Sequence, residues 1–558
     1  MRVRPWLATG LLLAACGEPP CEDGLARTAA GRCLPVVADE GPSEAEADVE
    51  LEPLPAPRLA RRLSLDLRGV LPTADELAAV EADPAALAAL QAGWLGDPRL
   101  EERLVHLFAA VWHTRTDRFE INHYEYDTLR DDPTVEYAFE RGVGEEPLRL
   151  MARVGTADQP WTDILTTDRT RLPPVLTALW PVEVLEEGDG WLDARYTDGR
   201  PAAGVLATNG LWWRYSTSDS NKNRTRAAAI ARLFVCVDLL DREVSVDRLG
   251  TTEVEDAVRS APECIGCHSA LDPVAATLSG FTPINAHSGP ENQRYHPERE
   301  LDGAAELGVQ PAWFGEPVQD LGALGAAIAE DPRFLPCTIR QLAQGLWARP
   351  PRPDDTAHLR AVQADFEAGD LRLAAALGSL VSGATYRAGG QGEGGTQVTA
   401  RWLWPDQLAT SIEDITGFRW TWEGFALLDD DTLGYRVLLG GVEGVATTAP
   451  QERPGLAMVA VWKRVAEAAA DHAVSTELVA GEAGAGLFTG LTLADAPGDP
   501  PFDTGIAEMR WRLLAVREPT AEAELAALWS AVAVDHGPAD AWRAVVAALL
   551  RDPLFVAR

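Results

Sequence analysis

A chain carrying Cys264-Ile265-Gly266-Cys267-His268 must keep two thiols and an imidazole together, within reach of a large planar group. C-x-x-C-H is the attachment signature of haem c. Each thiol forms a thioether to one haem vinyl group while the backbone turns, and the next side chain then lies under the porphyrin as an axial iron ligand. At this composition random order would yield on the order of 0.001 such strings, so chance is a poor explanation. A zinc site would need a second pair of ligands, and the sequence has no other C-x-x-C and no H-x-x-x-H. A thioredoxin-like site would need a βαβ context that the pattern does not offer. One covalent haem c, held by Cys264 and Cys267 with His268 on the iron, is the expectation.

The amino terminus points to the same compartment. Met1-Arg-Val-Arg is a positive n-region, Leu7 to Ala15 is a short apolar run, and Leu13-Ala-Ala-Cys16 places small residues before a cysteine. The run is too short to span a bilayer and has the flanks of a signal peptide. It resembles a bacterial lipobox, which implies removal of residues 1–15 and acylation of Cys16; two or more acyl chains suffice for stable membrane attachment. Gly17 after Cys16 leans the sorting towards the outer membrane, facing the periplasm or the cell surface. Haem c is attached outside the cytoplasm, so the signal and the motif agree.

Seven cysteines then divide in an orderly way. With Cys16 assigned to lipid and Cys264 and Cys267 to haem, Cys21, Cys33, Cys236 and Cys337 remain for disulfides in an oxidising compartment. Three connectivities are open, and Cys21–Cys33 with Cys236–Cys337 is preferred. Net charge is −36, and loss of Arg2 and Arg4 with the signal takes it to −38. That argues against nucleic acid, which requires a basic face. Solubility is the default reading, and divalent cations or a redox partner, periplasmic or membrane-bound, with a basic docking face are the functional ones.

Hydrophobic periodicity predicts a mainly α, multidomain helical architecture with an embedded monohaem cytochrome-c-like site and minor β and loop content. Residues 16–57 are acidic and proline-rich, a lipid-anchored disulfide loop and flexible tether. An N-terminal helical domain covers 58–170. Thr73-Ala-Asp-Glu76 reads as a capping box, and Leu100, Leu104, Leu107, Phe108 and Val111 share one helical stripe. The haem region is 171–300, with short strands possible between Pro173 and Arg200, and helical closing segments follow over 301–388. Gly389 to Gly395 reads as a linker, and 396–558 as a separate helical domain.

Several segments, in order, resemble the planctomycete-type cytochrome c family of exported multidomain bacterial proteins, also common in myxobacteria. They are R-R-L-S-L-D-L-R-G-V-L-P-T (61–73), P-W-T-D-I-L-T-T-D (160–168), G-V-L-A-T-N-G-L-W-W-R-Y-S (204–216), C-I-G-C-H-S-A-L-D-P (264–273) and D-P-R-F-L-P-C-T-I-R-Q-L (331–342). The resemblance covers roughly 58–388 and implies haem binding and electron transfer outside the cytoplasm. It supplies no substrate.

The second axial ligand is open. Methionine occurs at 1, 151, 458 and 509, so none follows the motif closely. His287 and His296 are the local distal candidates, with His106 or His113 reaching across; Met151 or Met458 from elsewhere, or a vacant sixth position, complete the alternatives. The basic run Asn221-Lys-Asn-Arg-Thr-Arg226 is either a partner for haem propionates or a solvated helix start. An electron carrier is the leading reading. The alternative is a surface assembly or carbohydrate-binding lipoprotein with structural or sensory haem, which the 18 tryptophans permit. No catalytic residue is assigned. Asp429-Asp-Asp431 lacks calcium-loop spacing.

Overall fold

A computed structural model describes residues 51–115, 126, 133–186, 190–239, 258, 261–282, 293–391, 401–430, 433–451 and 453–558, together with two short paired strands, β1 (Leu25–Arg27) and β2 (Cys33–Pro35). The chain is mainly helical. Cys16, Cys21, His123, His287 and Asp431 lie outside the described residues, as does the side chain of Cys33.

The first helices show why local sequence suffices there. Helix α1 (Ala56–Arg68) ends at Gly69, whose φ of 74° suits a residue without Cβ. Helix α2 (Ala74–Ala82) starts with the capping box: Glu76 N donates to Thr73 Oγ1 at 3.2 Å, and Thr73 N to Glu76 Oε2 at 2.8 Å. Glu76 also accepts from Arg68 on α1 and from Trp94 Nε1 at the end of α3 (Ala86–Trp94), so one carboxylate ties three helices. Helix α4 (Arg99–Trp112) buries Leu100, Leu104, Leu107 and Phe108, and packs along α5 (Pro133–Thr156). Phe108 stacks on Trp161 with ring centroids 5.4 Å apart.

Between α5 and the attachment helix, β4 (Arg169–Leu172), β5 (Val182–Val184) and β6 (Leu192–Tyr196) form a small antiparallel sheet with β6 in the centre. Gly204 and Gly210, both in the segment 204–216, sit where the backbone of an earlier segment comes close. A Cβ on Gly204 would lie 1.9 Å from the Ile164 carbonyl oxygen, and one on Gly210 1.9 Å from that of Val143. Only glycine fits either contact.

Helices α6 (Arg224–Val235) and α7 (Pro262–Ala275) follow, packed against each other, and α8 (Leu321–Ala329), α9 (Phe334–Trp347), α10 (Thr356–Ala368) and α11 (Leu373–Ser382) close the region. Cys236, which caps α6, forms a disulfide with Cys337 on α9, Cα–Cα 5.4 Å. One apolar core runs from Leu59 to Tyr386, across the expected boundaries at 170 and 300.

A second core is built from Leu403 to Val556, chiefly on α12 (Pro405–Thr416), α13 (Leu456–Ala473), α14 (Pro500–Leu514), α15 (Pro519–His536) and α16 (Pro538–Leu550). Leu65 and Leu71 belong to this second core although they lie at the other end of the sequence. Helix α1 therefore serves both. Arg61 on α1 donates to the Leu513 and Ala557 carbonyls at 3.0 and 2.7 Å, and Arg62 to those of Tyr386 and Ala388 at 2.6 and 2.8 Å. The tether and the glycine-rich linker meet here too. Leu51–Pro53, as β3, pairs antiparallel with β7 (Ala388–Gln391), so ordered structure begins ahead of Arg58 and the linker's first residues are strand.

Candidate haem-attachment site

Ala261 is extended and Pro262 occupies the first turn of α7, a position where a missing N–H costs nothing. The motif therefore lies within the first two turns. Cys264, Cys267 and His268 stand at i, i+3 and i+4, which places all three on one helix face. Both thiols are free and partly exposed. The His268 side chain retains 22% exposure, and Ile265 beside it is 40% exposed, an apolar side chain left without cover. Among the described residues no three His, Cys, Asp or Glu side chains gather around one point as a bare ion requires. Thioether attachment spreads the two sulfurs over two vinyl groups and leaves the imidazole alone to meet iron, so this donor set fits a covalent macrocycle.

The imidazole is oriented. His268 Nδ1 lies 2.9 Å from Asp272 Oδ1, one turn along the same helix. A carboxylate can only accept there, so Nδ1 carries the proton and donates it. Nε2, with no partner among the described residues, keeps its lone pair for a metal. Asp272 is gripped from the other side by Arg224, the first residue of α6: Nε to Oδ1 at 2.7 Å and Nη2 to Oδ2 at 3.0 Å, a two-pronged ion pair. Partial burial pushes the Asp272 carboxyl up, but hydrogen bonds from His268 and Arg224 outweigh it and bring its pKa down to about 2. The carboxylate is thus ionised at any physiological pH.

The basic run 221–226 splits into three fates. Arg224 holds Asp272. Arg226 is buried and donates to the Tyr215 and Phe281 carbonyls. Lys222, with Arg299, lines a solvent-open cleft between the start of α6 and the 3-10 turn Ala276–Phe281 that continues α7. Of the three cationic side chains in the run, Lys222 is the one that lines this cleft.

The distal candidates are dispersed. His296 N donates to the Gly280 carbonyl at 2.9 Å, which sets it at the far end of the α7 extension from His268. Its Nδ1 meets Glu298 at 3.0 Å, and its Nε2 is buried without a partner among the described residues. His106 is committed elsewhere: Nδ1 to Arg115 at 3.1 Å, and Nε2 beside Glu102 at 3.5 Å and Asp406 at 3.9 Å. His113 Nε2 is shared between the Ala110 and Thr448 carbonyls at 3.0 and 2.9 Å. Burial, reinforced by the charge of Arg232, lowers its pKa to about 4. His106 has no nitrogen to spare at these contacts, and His113 has its Nε2 taken up by the two carbonyls. Met151 lies in the first core and Met458 and Met509 in the second.

Two other sequence signals dissolve into structure. Asp429 and Asp430 are paired with Arg419, Arg141 and Tyr137. The described indoles are mostly core; Trp422, at 44% exposure, is the one large exposed indole among the described residues. What sequence reasoning had not singled out is Asp272 as the partner of His268 and Arg224 as the partner of Asp272. The signal for Asp272 was its spacing, four after His268 in a helical segment.

Comparison with protein families, with curated proteins and with solved structures finds no match to this chain.

Proposed function

We propose that the chain is an exported, lipid-anchored c-type cytochrome-like protein that carries one covalent haem and transfers single electrons, in the periplasm or at the outer membrane. The observation that carries this reading is the face of α7 on which two free thiols and an imidazole stand together, the imidazole turned so that Nε2 is open. Cys264 and Cys267 would hold the group by adding each S–H across one vinyl C=C, sulfur to one carbon and hydrogen to the other, with no oxidant needed. His268 would supply the axial nitrogen. Once bound, the group supplies a reversible one-electron couple, ferric to ferrous, fed by a reduced donor and drained by an acceptor. What the protein does around it is to fix the ring nitrogen, keep the thiols accessible for attachment and present an acidic exterior that favours a partner with a basic face. Of the two local histidines, His296 is set too far along the α7 extension to share an iron with His268, so His287 stays the proposed second axial ligand, and Cys16 the proposed site of acylation.

The test is an absorption spectrum of the exported protein, oxidised and reduced, with a pyridine haemochrome. A c-type haemochrome that survives acid–acetone extraction is expected, and Cys264→Ser with Cys267→Ser abolishes it while far-ultraviolet circular dichroism stays unchanged. A parent protein without such a haemochrome would overturn the reading.

A further inference from the structure

The carboxylate behind the imidazole does more than hold it in place. We infer that Asp272 and Arg224 act as an opposed pair that sets the reduction potential of the group bound through His268. This rests on the haem reading above.

The geometry is specific. Oδ1 of Asp272 receives two donors at once, His268 Nδ1–H at 2.9 Å and Arg224 Nε–H at 2.7 Å, while Oδ2 receives Arg224 Nη2–H at 3.0 Å. A carboxylate that accepts from Nδ1–H draws that proton outward and pushes electron density through the ring to Nε2, raising its basicity as a ligand. A more basic axial nitrogen stabilises the ferric state and lowers the potential. Arg224 works against this. Its guanidinium competes for the same oxygen and neutralises the carboxylate, so the imidazole feels a partly spent anion. The outcome is set by two residues on different helices: Asp272 moves with α7, and Arg224 with α6, whose far end is pinned by the Cys236–Cys337 disulfide. The Asp272 side chain is only 9% exposed, so water does not replace either partner freely. Both residues are positioning residues, since neither would touch iron.

The experiment is a spectroelectrochemical titration of the full, haem-loaded chain and its variants, at about 0.1 M and about 1 M salt, where the screening length falls from roughly 10 to 3 Å. Asp272→Asn is expected to move the oxidised–reduced equilibrium at least tenfold towards the reduced form, which is about 59 mV for one electron. Arg224→Gln is expected to move it in the opposite direction, and Arg224→Lys to recover part of that shift. Both displacements persist at high salt, because they pass through a hydrogen bond to the ring. A second signature is the iron–histidine stretching band, recorded by resonance Raman after photolysis of the CO complex; it falls in Asp272→Asn and rises in Arg224→Gln.

Displacements of the same sign in the two variants, displacements that vanish at high salt, or an unmoved iron–histidine band would overturn the inference. Should Asp272→Asn fail to take up haem, the Arg224 variants decide alone: an unmoved potential in Arg224→Gln overturns it, and a lowered potential recovered by lysine supports it. Parent protein lacking any c-type haem would instead remove the function proposed above, so the two failures are distinguishable.

Discussion

Asp272 and Asp406 look alike at first sight. Each is held by an arginine and each lies against a histidine: Asp272 between Arg224 and His268, Asp406 between Arg103 and His106. The difference lies in what is left over. Around Asp406 both nitrogens of the histidine are spent. Arg103 is 2% exposed, and His106 meets Glu102 and Asp406 through one nitrogen and Arg115 through the other. That constellation joins α4 to α12 and so fastens the two cores. Around Asp272 one nitrogen, His268 Nε2, is left open on a face that carries two thiols. A histidine with both nitrogens consumed is structural. One with a single nitrogen consumed by an ionised partner is a ligand held ready.

The comparison can be broken by mutation, and the largest effect is expected at the spent site. Asp406→Ala leaves the Arg103 guanidinium buried without its counter-charge and should cost about 4 kcal/mol in urea unfolding, whereas Arg103→Met with Asp406→Leu should cost far less. Equal losses in the single and double variants would mean that the charges matter less than the shape they fill. Next in size is the covalent support of the haem side. Cys236→Ser with Cys337→Ser opens a link across a sequence separation of 101 and should lower stability by about 3 kcal/mol, with haem content per folded protein unchanged. Loss of haem with retained fold would show that α6 must be pinned for Arg224 to hold Asp272.

The smallest effect is a pH dependence at His113, whose Nε2 is shared between two backbone carbonyls. Its folded pKa of about 4 lies below the ordinary histidine value near 6.5, so the unfolded chain binds the extra proton first. Its contribution is complete above about pH 6.5 and is lost as pH falls towards 4, with about 2 kcal/mol gone by about pH 5. His113→Asn, chosen because asparagine tolerates the φ of 54° found there, should flatten that part of the stability curve relative to the parent. Identical curves would indicate that the imidazole is solvated in the folded state.

Legibility from sequence followed the distance between partners. The capping box at Thr73 and the stripe on α4 depend on residues within a turn or two, and both could be read directly. The attachment face was legible because C-x-x-C-H becomes one face as soon as the segment is helical. Asp272 was within reach of the same reasoning, four residues on. Arg224 was not, because it arrives from 48 residues upstream by the packing of α6 on α7. The histidines were ambiguous for the same reason: Asp406 and Thr448, which occupy His106 and His113, come from the far core. The glycine-rich stretch after Ala388 holds a pairing that composition does not announce. Its composition signals a linker, and the backbone of its first residues, to Gln391, pairs with the edge that β3 supplies.

That short ladder between β3 and β7 has a mechanical consequence. Leu51–Pro53 is the doorway through which any pull on the preceding chain reaches the body of the protein. The load does not arrive first at the fraying tip of α1. It is handed across the ladder to Ala388–Gln391, the span where one core gives way to the other, and from there to Arg62, whose guanidinium already clasps the Tyr386 and Ala388 carbonyls. Tension is therefore shared with the seam between the two cores before it reaches α1.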